Sequence, residues 1–220
     1  MNIDKRYKAR IYENDEVIKN QILDYLDDLL SEYNYLDLKM PIYTCINELL
    51  LNAVKANFKN IYFEKYLPKN NALDIVPYRT ALELFKLEMT SKRVSKFIDM
   101  ARKENITADI YMISSDNLFI ARIENPAVLT DIEISNIKSK YQFAESYENL
   151  TDYLTVNYED SLKEGGGLGI IFVIMMLRSF GLSSDHFVIR CVNNSTIAEL
   201  KIPLNDNTIN SFRKTIGEKS

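Results

Sequence analysis

Glu48, Asn52 and Lys55 stand out in an otherwise apolar stretch, Asn47-Glu48-Leu49-Leu50-Leu51-Asn52-Ala53-Val54-Lys55. At about 100° per residue on a helix, the three side chains fall within about 60° of one another. They lie opposite a broad arc made by Ile42, Ile46, Leu49, Leu50, Ala53, Val54 and Ala56. A carboxylate, a neutral amide and a cation in successive turns can take a proton, ligate a hard cation through oxygen and neutralise a phosphate. Taken alone, they are also what the polar face of any amphipathic helix carries.

A second cluster, Gly165-Gly166-Gly167-Leu168-Gly169, opens directly into an apolar run. Glycines reach backbone angles that turn successive N–H groups inward, and a helix N-terminus adds partial positive charge. Together these make an anion site suited to phosphate. A hinge or tight turn ahead of a buried helix would use the same residues. The common nucleotide motifs are excluded. Ile170 and Ile171 stand where a P-loop needs its Lys and Ser/Thr, and the run does not sit on the first strand-to-helix turn of a dinucleotide fold.

Composition narrows the chemistry further. His186 is the only histidine, which argues against histidine-pair metal sites and Ser–His–Asp chemistry. A net charge of −4 gives no global attraction to nucleic acid or anionic membrane. Cys45 and Cys191 cannot form a disulfide framework, and no secretory signal is read at the N-terminus, so a cytoplasmic protein is expected. The longest apolar run, 170–177, is far short of the ~20 residues needed to span a bilayer.

The elements expected to position these residues run as follows. A strand over 6–12 precedes a helix capped by Asn14 or Asp15, with Ile18, Ile22, Leu26, Leu29, Leu30 and Tyr33 on its apolar stripe. The helix bearing Glu48 starts at Pro41 and ends near Asn57, and a strand follows over 61–66. Two charged amphipathic helices fill an insertion at about 67–104. A hairpin spans 108–123. Weakly patterned residues at about 129–165 read as a lid. The glycine run leads into a helix stopped by Gly181, then a hairpin turning at Asn193–Asn194, and a polar tail. This order predicts one α+β domain over 1–220, a two-layer sandwich of helices on a mostly antiparallel mixed sheet.

With both clusters in place, the chain resembles the GHKL superfamily of ATPases, which includes gyrase, histidine kinases, MutL and the anti-sigma-factor serine kinases. The 48–55 stretch resembles that family's E-x-x-x-N-A-x-K/H box, and Gly165-x-Gly167-Leu168-Gly169 resembles its second glycine box. The resemblance covers the whole chain apart from 67–104. It implies a Bergerat-type ATP-binding fold with ATP and Mg²⁺ as ligands. It also implies Glu48 as the base that activates the attacking water or hydroxyl, Asn52 as the Mg²⁺ ligand and Lys55 on phosphate. Gly165, Gly167, Leu168 and Gly169 would wrap the phosphates.

One motif departs from the family's pattern. The adenine-recognising D-x-G-x-G reads Asn125-Pro126-Ala127 here, with Asn125 in the Asp position and Ala127 at the first glycine; a shift of one would use Glu124. Asn125 can still accept from an adenine amino group. His186 lies too late in the chain to act as a phospho-accepting histidine, and residues 204–220 are too few for a transducer domain. The layout is therefore most similar to the stand-alone anti-sigma-type serine kinases. That implies a protein partner, no nucleic acid and no membrane. The 67–104 segment is either decorative or a docking or homodimerisation surface. Asn125 and Ala127 leave open a non-catalytic nucleotide-sensing or protein-binding module.

Overall fold

The computed structural model describes residues 5–66, 78–90, 94–147 and 168–217. It is α+β, with seven α-helices and one five-stranded sheet among the described residues.

Strand β1 (Lys5–Ile11) leads into helix α1 (Glu16–Tyr33). Asp15 caps that helix, its carboxylate accepting from the Ile18 amide at 3.0 Å. Ile22, Leu26, Leu29 and Leu30 form the buried stripe, and Asn34 closes the helix in the left-handed conformation. A short 3₁₀ turn, Leu36–Leu38, joins it to α2 (Lys39–Tyr66). Helix α2 is longer than the sequence predicts. Residues 61–66 are helical, not a strand, because Asn57, Phe58, Ile61 and Tyr62 keep the buried stripe in helical register.

The insertion contributes α3 (Tyr78–Thr90) and α4 (Val94–Glu104). These pack on the second half of α2 through an aromatic cluster. Phe97 stacks on Phe58 at 5.9 Å and meets Phe85 edge-on at 6.2 Å, while Tyr62 lies 5.7 Å from Phe85. The cluster belongs to the same buried core as the rest of the domain.

Strands β2 (Ala108–Ser115) and β3 (Leu118–Asn125) form a hairpin turning at Asp116 and Asn117, both at positive φ. Helix α5 (Asp131–Ser146) follows. Its span was expected to be part of a lid, yet Thr130 and Glu133 form a complete capping box at its start. Residues 148–167, including Gly165 and Gly167, lie outside the described set. Helix α6 (Leu168–Ser179) is apolar on nearly every face and ends at Gly181, at φ +74°. Strands β4 (Phe187–Val192) and β5 (Ser195–Pro203) turn at Asn193 and Asn194. The supposed polar tail is helix α7 (Asp206–Thr215), capped by Asn205 and anchored by Phe212 edge-on against Phe180 at 5.5 Å.

The strand order is β1-β2-β3-β5-β4, and every pairing is antiparallel. The expected mixed sheet is therefore corrected: no parallel pair occurs among the described residues. Short hairpin turns join β2 to β3 and β4 to β5, and such turns can produce only antiparallel neighbours. One sheet face, carrying Ile110, Met112, Phe119, Ala121, Ile123, Leu200 and Ile202, is buried under the helices. The other face carries Arg6, Lys8, Tyr111, Ile113, Arg122 and Glu124, half-buried or exposed. No described helix is long and apolar enough to cross a membrane.

Candidate functional site

Helix α2 runs over the sheet beside α6, and the side chains between them form the site. Glu48 is half-buried, while Asn52 and Lys55 are exposed. Gly169, in the first turn of α6, is buried directly against this face. A Cβ added at Gly169 would stand 2.5 Å from Glu48 Oε2 and 3.4 Å from both Glu48 Cβ and Asn52 Nδ2. A glycine here lets α6 close on the Glu48 carboxylate, while the 3.4 Å approach to the Asn52 amide is ordinary contact. Its neighbour Leu168 is half-buried. The sequence-predicted residues Glu48, Asn52 and Gly169 are thus brought together at the N-terminus of one helix.

Beside this contact lies a pocket of about 120 Å³. Helix α2 supplies Leu49, Asn52, Ala53, Ala56 and Lys59; β3 and the residues after it supply Ile123, Asn125, Ala127 and Val128; α6 supplies Ile170. Ile189, Thr196 and Ala198 come from β4 and β5, and Glu133, Ile137 and Lys140 from α5. From Asn52 to Lys59 the pocket follows α2 for about 10 Å, at 1.5 Å per residue. Its wall is mainly aliphatic, with Asn52, Asn125, Thr196 and the charged residues Lys59, Glu133 and Lys140 among its lining.

Asn125 lines this wall, and it is 3% exposed. Its side-chain Nδ2 donates to Asn57 Oδ1 at 3.2 Å, leaving its own carbonyl oxygen as the acceptor. The two amides are buried and joined by this one hydrogen bond. Ala127 is also buried, its amide donating to the Asn125 carbonyl at 2.8 Å. The Thr196 hydroxyl donates to the Ala127 carbonyl and so fixes the loop after β3 against β5.

Lys55 is the exception. It points to solvent and does not line the pocket, whereas Lys59 does. Seven helical residues turn about 700°, so Lys59 lies within about 20° of Asn52, closer to its line than Lys55. Lys59 is 8% exposed and forms an ion pair with Glu133. Burial alone would raise the Glu133 carboxyl, but the Lys59 bond, the Thr130 cap and the lysine's charge outweigh it and hold the group below its ordinary value. Lys140 lies in the same wall. Burial, with repulsion from Lys86 on α3, lowers its amine below the ordinary lysine value.

Helix α5 is fixed along its length. Besides the Lys59 bridge, Tyr141 stacks on Phe187 at 5.8 Å and donates to its carbonyl at 2.8 Å. Arg178 of α6 donates to the carbonyls of Tyr147 and Glu145. Sequence reasoning missed Lys59, Glu133, Lys140 and Thr196. The signal for Lys59 was its place in line with Asn52, hidden by ending the helix at Asn57. Cys45, fully buried on α2, has its thiol pushed up by burial and by the charge of Glu48, while Cys191 on β4 is exposed.

No family model and no solved structure matches the chain. An uncharacterized protein from Treponema pallidum (strain Nichols) is 28% identical over 162 residues, covering 73% of this chain and 30% of that protein. The similarity thus spans less than a third of that protein's length.

Proposed function

We propose that this chain binds a magnesium–nucleotide complex, with ATP as the nucleotide, and acts as a kinase-like regulator of a partner protein. The observation that carries the reading is the packing of Gly169 against Glu48 and Asn52 at one end of an apolar pocket. The donor set fits the ligands. Asn52 offers one neutral oxygen at the exposed end, as a cation shared with phosphates requires. The α6 N-terminus supplies amides and partial positive charge to a phosphate. Ala53, Ile123 and Ile170 offer apolar surface to a base, and the Asn125 side-chain oxygen offers an acceptor to its amino group. Asn52 would hold Mg²⁺, which would supply positive charge to offset that of the phosphates. Glu48, half-buried beside the helix terminus, would orient the attacking hydroxyl and take its proton.

Thermal unfolding with and without Mg-ATP tests the reading. Ligand at ~100 times its dissociation constant adds about 2.7 kcal/mol, roughly 5–10 °C for a domain of this size. No shift at millimolar Mg-ATP would remove the nucleotide. Turnover of labelled ATP by wild type against Glu48→Ala then separates catalyst from sensor.

A second reading, a non-catalytic nucleotide-sensing or protein-binding module, is favoured by three residues. Lys55 lies outside the pocket, Asn125 is tied to Asn57, and Ala127 is buried where the resembling family has glycine. Under that reading wild type and Glu48→Ala turn ATP over at the same background rate.

A further inference from the structure

Among the described residues, the charged ones lining the pocket are Lys59, Glu133 and Lys140, a surplus of one positive charge in a chain of net charge −4. Glu133 cannot offset Lys140. One of its oxygens accepts from Lys59, and the other accepts from the Thr130 amide at 2.9 Å and the Thr130 hydroxyl at 3.0 Å. Lys86 on α3 adds further positive charge nearby. Lys140 is therefore a half-buried cation in an aliphatic wall with no carboxylate partner among the described residues, beside Ile137 and Ile189. Such a group carries a desolvation cost that a bound anion offsets.

We propose that the part of the pocket lined by Lys140 is an anion subsite, which takes the carboxylate or phosphate of a small acid whose apolar body lies along Ile123, Ile137 and Ile189. The space sets the ligand's size. At about 120 Å³ the pocket is smaller than a 150 Å³ cavity that holds benzene, so it suits a short branched chain or a single ring inserted in part. The ammonium sets the polarity, because it has three donors and no acceptor. A neutral or cationic head group gains little there. The subsite does not rest on the nucleotide reading, although a base and such an acid would compete for the same aliphatic wall.

The test is an NMR titration of the full chain with benzoate and phenyl phosphate, against the neutral isostere benzamide, each at millimolar concentration. Wild type should bind one of the acids at least about tenfold tighter than benzamide. Preference for benzoate assigns a carboxylate, and preference for phenyl phosphate assigns a phosphate. Lys140→Met should abolish the preference and Lys140→Arg should retain it. Lys140→Met removes an unpaired cation from a half-buried site, so its melting temperature should match or exceed wild type. Equal binding of acid and amide by wild type, no binding of either acid, or an undiminished preference in Lys140→Met would each overturn the subsite. Because these probes carry no triphosphate, the outcome is read separately from any Mg-ATP result.

Discussion

Replacing Gly169 with alanine separates what that glycine does for stability from what it does for the site. The residue lies in the first turn of α6, and its backbone is not in the left-handed region, so alanine fits the local conformation. Helix propensity alone would favour alanine by up to about 1 kcal/mol. Against this, the new methyl carbon would stand 2.5 Å from Glu48 Oε2, well inside the ~3.5 Å optimum for such contacts. The Glu48 Cβ and Asn52 Nδ2 contacts, at 3.4 Å, are ordinary van der Waals approaches. The clash falls on the far end of one flexible side chain, and turning it away costs about 0.5–1.5 kcal/mol. Gain and cost nearly cancel, so Gly169→Ala should unfold within about 1 kcal/mol of wild type, a change of at most roughly 4 °C. Glu48 is nonetheless displaced from its place beside Asn52. Turnover of labelled ATP should fall at least about tenfold, while Mg-ATP affinity by calorimetric titration and urea unfolding barely change. Wild-type turnover in Gly169→Ala would refute the view that the close approach serves the reaction. A loss of several kcal/mol would refute the claim that Glu48 can yield.

Other substitutions probe the remaining parts. Asn125→Asp should tighten Mg-ATP about tenfold by strengthening the acceptor for the base, read by the same titration, and weaker binding would count against a base at this position. Lys59→Met leaves Glu133 unpaired at a partly buried position and should cost about 3 kcal/mol in urea unfolding, whereas Lys59→Met with Glu133→Leu should lose less. Because the Glu133 carboxyl is held low, its contribution is complete above the ordinary carboxylate value of about 4.3. It is lost as pH falls through the lower folded value, so Glu133→Gln should flatten the stability–pH curve over that interval. Phe97→Ala empties the centre of the aromatic cluster, at 1% exposure, and should cost about 3–5 kcal/mol in a single cooperative transition. A separate early transition confined to α3 and α4 would show that the insertion folds on its own.

Much of this architecture was legible because local signals agreed with the tertiary environment. Asp15 before the Ile22–Leu30 stripe, Gly181 after an apolar run and the Asn193–Asn194 turn each have a local physical cause, and each appears where expected. The misreadings came where tertiary packing decided. Ile61 to Tyr66 has strand-like composition, but its aromatic residues continue a helical stripe that only α3 and α4 complete. The expected lid contains α5 because Thr130 and Glu133 form a capping box amid weak hydrophobic patterning. Asp206 to Thr215 is polar overall, yet Ile209 and Phe212 at helical spacing suffice to dock α7. At the site, Glu48, Asn52 and Gly169 were recognisable from type and spacing. Glu133 and Lys140 were not, because their position depends on how α5 lies across the pocket.

The two cysteines make the molecule report on itself. Cys45 is sealed in the core with a suppressed thiolate, so a maleimide applied to the folded chain reaches Cys191 first. Cys191 Sγ lies 3.8 Å from the Thr196 hydroxyl, and Thr196 lines the pocket. A single environment-sensitive dye attached there would sit at the pocket's border without any engineered mutation, and its emission would follow occupancy. The sealed Cys45 would become reactive only when the domain opens, so a second labelling event would time unfolding in the same sample.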